Sequence, residues 1–172
     1  MASKRSIISF LSFIVVVLSF SSCLAFKEKK LVFYLHDILS GQNVTGVVVG
    51  GVKGLSSSPY NFGTVIVIDD LVTEGPKPSS KAIARAKGLY ANSDLKGSTF
   101  DLHFSVVFEN QKYNGSTLEI QGADRYLQKK REVSVVGGTG HFRYARGYAI
   151  VETVTFEGVN ANLKFSVNIR LD

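Results

Sequence analysis

Apolar and polar residues alternate along this chain with a period of two. Between Phe100 and Glu109, Phe100, Leu102, Phe104, Val106 and Phe108 fall on one face, and Asp101, His103, Ser105 and Glu109 on the other. Near the C-terminus, Leu163, Phe165, Val167, Ile169 and Leu171 alternate with Asn162, Lys164, Ser166, Asn168 and Arg170. Successive side chains of an extended strand point to opposite sides, so each run predicts an antiparallel strand with one buried face. Further strands are predicted over 31–39, 44–49, 63–69, 82–90, 112–121, 132–136 and 148–156.

Turn residues separate these runs. They are Ser40-Gly41, the stretch 50–59, Glu74-Gly75-Pro76, Asn114-Gly115 and Gly137-Gly138-Thr139-Gly140. Asn114-Gly115 interrupts an alternating run and is a candidate hairpin turn that would split it. No amphipathic segment of helix length follows residue 25.

Roughly eight or nine short strands in one domain mean a sandwich or a closed barrel. The chain has one cysteine and no tryptophan, so the usual markers of a sandwich are missing and the barrel is favoured. Val47-Val48-Val49 and Val65-Ile66-Val67-Ile68 are apolar on both faces. A barrel wall covers one face of a strand, so these runs predict a second cover from another copy of the chain. A homo-oligomer, dimer or trimer, is expected.

The N-terminus changes the picture of compartment. Lys4 and Arg5 precede an apolar run over 7–20, and Cys23-Leu24-Ala25 gives a small-x-small cleavage site before the charged 27–30 segment. That order predicts a secretory signal peptide over 1–25 and a single mature domain over 26–172. The apolar run is short for a spanning helix. Phe20-Ser21-Ser22-Cys23 is a poor bacterial lipoprotein site, because an aliphatic residue is usual where Phe20 stands. Loss of Cys23 leaves a chain without thiols, which must rely on its core and its hydrogen bonds. The sequons Asn43-Val44-Thr45 and Asn114-Gly115-Ser116 make Asn43 and Asn114 candidate glycosylation sites in the extracellular space.

Charge narrows the partners. The net charge of +6 falls to +4 on loss of Lys4 and Arg5, and the remaining basic residues are scattered. Nucleic-acid binding needs a dense basic stripe with interleaved aromatics, so no nucleic-acid partner is expected. No membrane partner is expected after signal cleavage, and a solvated surface drawn to acidic wall polymers fits better.

The chemical inventory is short. The three histidines, His36, His103 and His141, are far apart, and there is no zinc-binding helix motif, so no metal is expected. The 137–140 glycine run lacks the lysine of a phosphate loop, and no Gly-x-Ser-x-Gly elbow occurs. Asp37 shares the face of Leu31, Phe33 and Leu35. Two placements are open. Inside a barrel its carboxyl is desolvated, its pKa rises and it becomes a proton donor near neutral pH; at the strand end it meets water. Asp124, Arg125 and Arg146 read on spacing alone as rim salt-bridge residues.

Several ordered segments resemble the dirigent family of plant proteins. They are Leu31-Val32-Phe33-Tyr34-Leu35-His36-Asp37-Ile38, Phe62-Gly63-Thr64-Val65 with Asp69-Asp70 and Thr73, and Ala84-Arg85-Ala86-Lys87-Gly88-Leu89-Tyr90. Tyr113–Leu118 with Gly122-Ala123-Asp124, and Arg131–Gly140 with Ala145-Arg146-Gly147, complete the set, which spans nearly the whole chain after residue 25. The resemblance implies an all-β fold, an eight-stranded antiparallel barrel of the allene-oxide-cyclase type, in a trimer in the plant apoplast. It implies a pocket for phenoxy radicals or quinone methides and no cofactor. Asp37, Asp124 and Arg146 then fall on catalytic positions and Tyr90 on a substrate-binding one. The chain departs from lignan-forming members in lacking their two cysteines and in carrying Asn92 where they have an aromatic residue. That places it nearer to branches that include pterocarpan-forming members.

The expected function is stereoselective coupling of phenoxy radicals, such as those of coniferyl alcohol, supplied by a separate laccase or peroxidase. The pocket would act by holding one pose. Asp37 and Asp124 would protonate a quinone methide, Arg146 would orient a carboxylate and Tyr90 would hydrogen-bond the phenol. An alternative is dehydration and ring closure of an isoflavanol, which needs no oxidant. A third is a defence or cell-wall binding protein without turnover.

Overall fold

The computed structural model describes residues 26–54 and 58–171. The predicted signal peptide, with Cys23, lies outside the described residues. Nine strands follow one another: β1 (Lys27–Asp37), β2 (Gly46–Gly50), β3 (Val65–Thr73), β4 (Ala82–Asn92), β5 (Phe100–Phe108), β6 (Thr117–Asp124), β7 (Arg131–Gly138), β8 (Arg146–Glu157) and β9 (Asn160–Leu171). One turn of 3-10 helix, Gly140–Phe142, precedes β8. Among the described residues there is no α-helix.

The strands pair antiparallel in the order β1-β9-β8-β7-β6-β5-β4-β3, and β3 pairs back to β1 through Tyr34 opposite Thr73 and His36 opposite Leu71. That contact closes an eight-stranded barrel and removes the open edge. The short β2 extends the wall. It covers the other half of β3, with Gly46 opposite Ile68 and Val48 opposite Ile66. β1 and β2 therefore share one edge of β3, and the chain between them folds at the barrel mouth.

The strands end where burial and pairing set them. β3 runs on to Thr73, past the Asp69-Asp70 pair that reads as a strand end, because its second half is paired with β1. The 112–121 run is split as its Asn114-Gly115 suggests. The turn is longer than two residues: Phe108 N–H donates to Ser116 O at 2.9 Å and Gly115 N–H to Phe108 O at 2.9 Å, with Gly115 at φ 75°.

Alternate residues fill the interior. Phe33 stacks on Phe165 at 5.5 Å, and Phe104 meets Phe165 edge-on at 6.1 Å. Val106, Leu118, Ile120, Val135 and Val151 are buried around them. Gly88 lets β4 bend against β5. Its φ is 154°, and a Cβ there would lie 2.4 Å from His103 O. Phe108, Tyr113 and Phe142 form a ring cluster with centroids 5.0–5.5 Å apart that plugs one end of the barrel. The other end, where β1 finishes and β5 begins, is open.

On the outer wall, Val47, Val67 and Leu89 lie side by side across β2, β3 and β4 and are 55, 42 and 38 % exposed. Within one chain the inner face of the β3 run is covered, with Ile66 and Ile68 buried, whereas Val47, Val48 and Val49 of β2 are all exposed.

Candidate functional site

The open end holds a cavity of about 430 Å³, a size suited to a small organic ligand. Its floor is Leu35, Ile68, Leu102, Phe104 and Phe165. An aromatic wall rises from the floor to the mouth. Tyr90 meets Phe100 at 5.1 Å, Phe100 stacks on Tyr126 at 4.8 Å, and Tyr60 lies 5.8 Å from Tyr126 and 6.4 Å from Phe156. Such faces suit a flat, electron-rich ring.

Charge enters this apolar space at two places. β1 and β3 supply Asp37 and Asp70; β6 and β7 supply Asp124 and Arg131. In the ring of eight strands these two pairs of staves face each other, with β4 and β5 between them on one side and β9 and β8 on the other.

On the first side, Tyr90 donates its phenol O–H to Asp37 Oδ2 at 2.8 Å, and Thr45 donates its hydroxyl to Asp70 Oδ1 at 2.5 Å. Asp37 Oδ1 and Asp70 Oδ2 are buried without a hydrogen-bond partner. Gly46 permits this crowding, since a Cβ there would lie 2.5 Å from Leu39 and 3.3 Å from Asp37 Oδ1. Burial disfavours the charged carboxylates. It pushes Asp37 up to about 6 against the opposing pull of the Tyr90 hydrogen bond. It pushes Asp70 up to about 9, with the charge of Asp37 adding to the effect. Burial also raises the Tyr90 phenol, so that it stays a neutral donor.

On the second side, Arg131 Nε lies 2.6 Å from Asp124 Oδ1, and its Nη2 reaches Asp124 Oδ2 at 3.4 Å. Arg131 Nη1 donates to Thr153 Oγ1 at 2.9 Å and to Gln128 O at 3.4 Å. The ion pair is buried and its hydrogen bonds are shared with the barrel wall, the arrangement in which a buried charge is tolerated.

The site residues expected from the sequence are partly brought together. Asp37, Tyr90 and Asp124 line the cavity. Arg146 does not. It opens β8, pairs across to Arg170, is exposed, and donates from Nη1 to Ala145 O at 2.9 Å. The period of two explains this: Ala149 and Val151 of β8 point inward, so Arg146 points out, at the far end of the strand from the cavity-lining Thr153. The arginine of the site is Arg131. Arg125 follows β6, is exposed and does not line the cavity. Asn92 is buried and carries no ring to the cavity. Its Nδ2 donates to Pro59 O at 3.2 Å and Gly97 O at 3.3 Å, which ties two loops together at the mouth, and Phe100 opposite it on β5 supplies an aromatic face. Asn43 and Asn114 are both exposed.

Two residues escaped the sequence reading. Asp70 shares its face with Ile66, Ile68 and Val72, and Arg131 shares its face with Val133 and Val135. Each was a polar residue in an apolar register, the same signal that pointed to Asp37. Among the described residues no group of His, Cys, Asp or Glu is arranged to hold a metal ion.

A sequence profile described as Dirigent-like protein matches residues 28–171. The chain belongs to the dirigent family. It is 43 % identical over 143 residues to dirigent protein 11 of Arabidopsis thaliana, covering 83 % of this chain and 74 % of that one. It is 37 % identical over 130 residues to pterocarpan synthase 1 of Glycyrrhiza echinata, covering 73 % and 69 %. A solved pterocarpan synthase dirigent protein superposes with a TM-score of 0.80 at 31 % identity, over 86 % of each chain. The eight-stranded barrel implied by the resemblance is therefore the fold found.

Proposed function

We propose that this dirigent protein binds a phenol in its cavity and closes it into a ring through a quinone methide, on one face only. The observation that carries the reading is the placement of two kinds of carboxyl group on opposite sides of one aromatic-lined cavity. Asp37, raised to about 6 by burial, gives up its proton nearer neutrality than an ordinary carboxyl. Asp124 is ion-paired to Arg131 and is placed to accept a proton. Two carboxyls in such different surroundings, one desolvated and one paired with an arginine, can divide the work of acid and base between them. The relatives named pterocarpan synthase support the same chemistry.

In the reaction, Asp124 takes the phenol proton while Asp37 protonates a benzylic hydroxyl, which leaves as water. The bound quinone methide keeps one face against the aromatic wall, so a second phenol of the same molecule attacks the other face. Holding the two reacting atoms together supplies most of the selectivity. Tyr90 positions Asp37, and Arg131 positions Asp124.

A second reading, stereoselective coupling of phenoxy radicals made by an extracellular laccase or peroxidase, draws on the aromatic ladder from Tyr90 to Phe156, which offers more than one ring-binding face. On either reading the protein is exported to the extracellular space by its N-terminal segment and works as a homo-oligomer through the Val47–Val67–Leu89 surface.

The deciding experiment gives the mature protein an isoflavanol with a free phenol, and in parallel coniferyl alcohol with a limiting one-electron oxidant. Chiral chromatography reads both. Ring-closed product without oxidant is the expected outcome. Enantiomeric excess in the coupled product alone would replace ring closure by coupling. No effect in either arm would leave binding without turnover.

A further inference from the structure

Asp70 is the most enclosed charged side chain of the barrel, with no exposed surface, and it points into the cavity from β3. The β1–β3 ladder runs Tyr34–Thr73, Leu35–Val72, His36–Leu71. The next position in that register sets Asp37 against Asp70. Two carboxylates opposite each other on neighbouring strands repel, and here water cannot screen them. Each has one oxygen bonded, by Tyr90 and by Thr45, and one buried oxygen without a partner.

The cations nearby relieve the pair only in part: Arg85 favours the charged form of Asp70, but less than burial and the charge of Asp37 oppose it. Arg131 is engaged with Asp124. Arg85 lies on the outer face of β4 and is bonded to Asp69, whose own charge adds to the repulsion. Lys129 stands at the cavity rim and is exposed. Tyr90 and Tyr60 face the acids as neutral phenols. A proton on one of the free oxygens removes the repulsion and supplies the missing donor.

We propose that Asp70 is a further acid of the site, and that it forms with Asp37 a carboxyl pair that holds one proton between them and grips a single oxygen atom of the ligand. A hydroxyl seated between the two free oxygens accepts a hydrogen bond from the protonated carboxyl and donates one to the other. Resting on the ring-closure reading above, that hydroxyl is the leaving group. The pair gives it a proton, the carbon–oxygen bond breaks with its electrons on oxygen, and water departs. Asp124 meanwhile takes the phenol proton, which leaves a neutral quinone methide. When the second phenol attacks the methide carbon, its proton returns to the pair, and the proton on Asp124 restores the first phenol. The net change is the loss of one water. Asp70 acts here as the store that keeps a proton in the pair when Asp37 alone would have lost it.

The test uses Asp70→Asn and Asp37→Asn in the full mature chain. Infrared spectra of the ligand-free protein at pH 7 are expected to contain a protonated-carboxyl band that is lost or shifted in both variants. The rate of Asp70→Asn relative to the wild type is expected to be at least tenfold lower at pH 8 than at pH 5, with the alkaline limb of its profile moved down by a unit or more (about tenfold per unit). A purely structural Asp70 would lower the rate equally at every pH. That parallel profile, or wild-type protein without the band at pH 7, would overturn the pair. Should Asp70→Asn fail to fold, the wild-type band and its pH titration decide alone. A band that is present in a protein inactive on every phenol would refute the ring-closure reading and leave the pair standing.

Discussion

Arg131 closes on Asp124 from inside the barrel, Nε to Oδ1 at 2.6 Å, with the two side chains 1 % and 4 % exposed. Both charges are almost wholly shielded from water, so each is tolerable chiefly in the presence of the other. Arg131→Ala is therefore expected to lower the unfolding free energy by about 3–5 kcal/mol, read by urea denaturation. The paired change Arg131→Met with Asp124→Leu is expected to recover most of that loss while abolishing product formation. If Arg131→Ala costs no more than an exposed substitution, the pair is not buried as described.

Tyr90 and Asp37 make a second relationship with a measurable sign. The phenol donates to Oδ2 at 2.8 Å and is the one bond that favours the charged carboxylate. Tyr90→Phe removes it, so the Asp37 titration moves above about 6 and the pH limb that it controls moves up with it. Stability falls by about 1–3 kcal/mol because a buried acceptor loses its partner. Carbon-detected NMR titration of the aspartate carboxyls reads the first effect and urea unfolding the second. A titration that moves down would mean the phenol favours the protonated acid instead.

The barrel was legible because a period of two, repeated between turn signals, fixes both the strand class and the buried face. Phe100–Phe108 and Asn160–Leu171 were readable almost to the residue. Asp37 was readable as a candidate because a carboxyl in an apolar register has to be explained. Asp70 and Arg131 carried the same signal and were passed over, Asp70 because a pair of aspartates reads as the end of a strand, and Arg131 because it closes a run of basic residues. Which arginine serves the pocket was not legible from the sequence, where Arg146 was the candidate. It follows from which face of β8 points inward, and that is decided by pairing with β7 and β9.

Stability should depend on pH with the opposite sign to that of a salt-bridged protein. Asp37 and Asp70 have folded-state values raised above the ordinary 3.8, to about 6 and about 9. Below 3.8 both states are protonated and no stability is lost through these groups. As pH rises towards the folded values, the native state binds more protons than the unfolded chain, so stability falls, by up to about 1.4 kcal/mol per pH unit for each proton. Above both folded values the loss is complete. Thermal melts of the wild type are expected to drop between pH 6 and 9, and Asp70→Asn is expected to flatten that window and to melt higher at pH 8. A wild-type melting temperature that is constant from pH 6 to 9 would exclude a raised Asp70.

Arg146 gives the sharpest contrast with Arg131. It is exposed, and its guanidinium donates to the neighbouring Ala145 carbonyl. Exposed substitutions away from caps and networks change stability by about 0.5 kcal/mol or less. Arg146→Ala is therefore expected to leave the enantiomeric excess and the rate within twofold of the wild type, measured by chiral chromatography beside Arg131→Ala. Loss of selectivity in Arg146→Ala, with Arg131→Ala still active, would move the working arginine to the outer wall. The cavity could not then be the place where the face of attack is chosen, because Arg146 lies outside its lining.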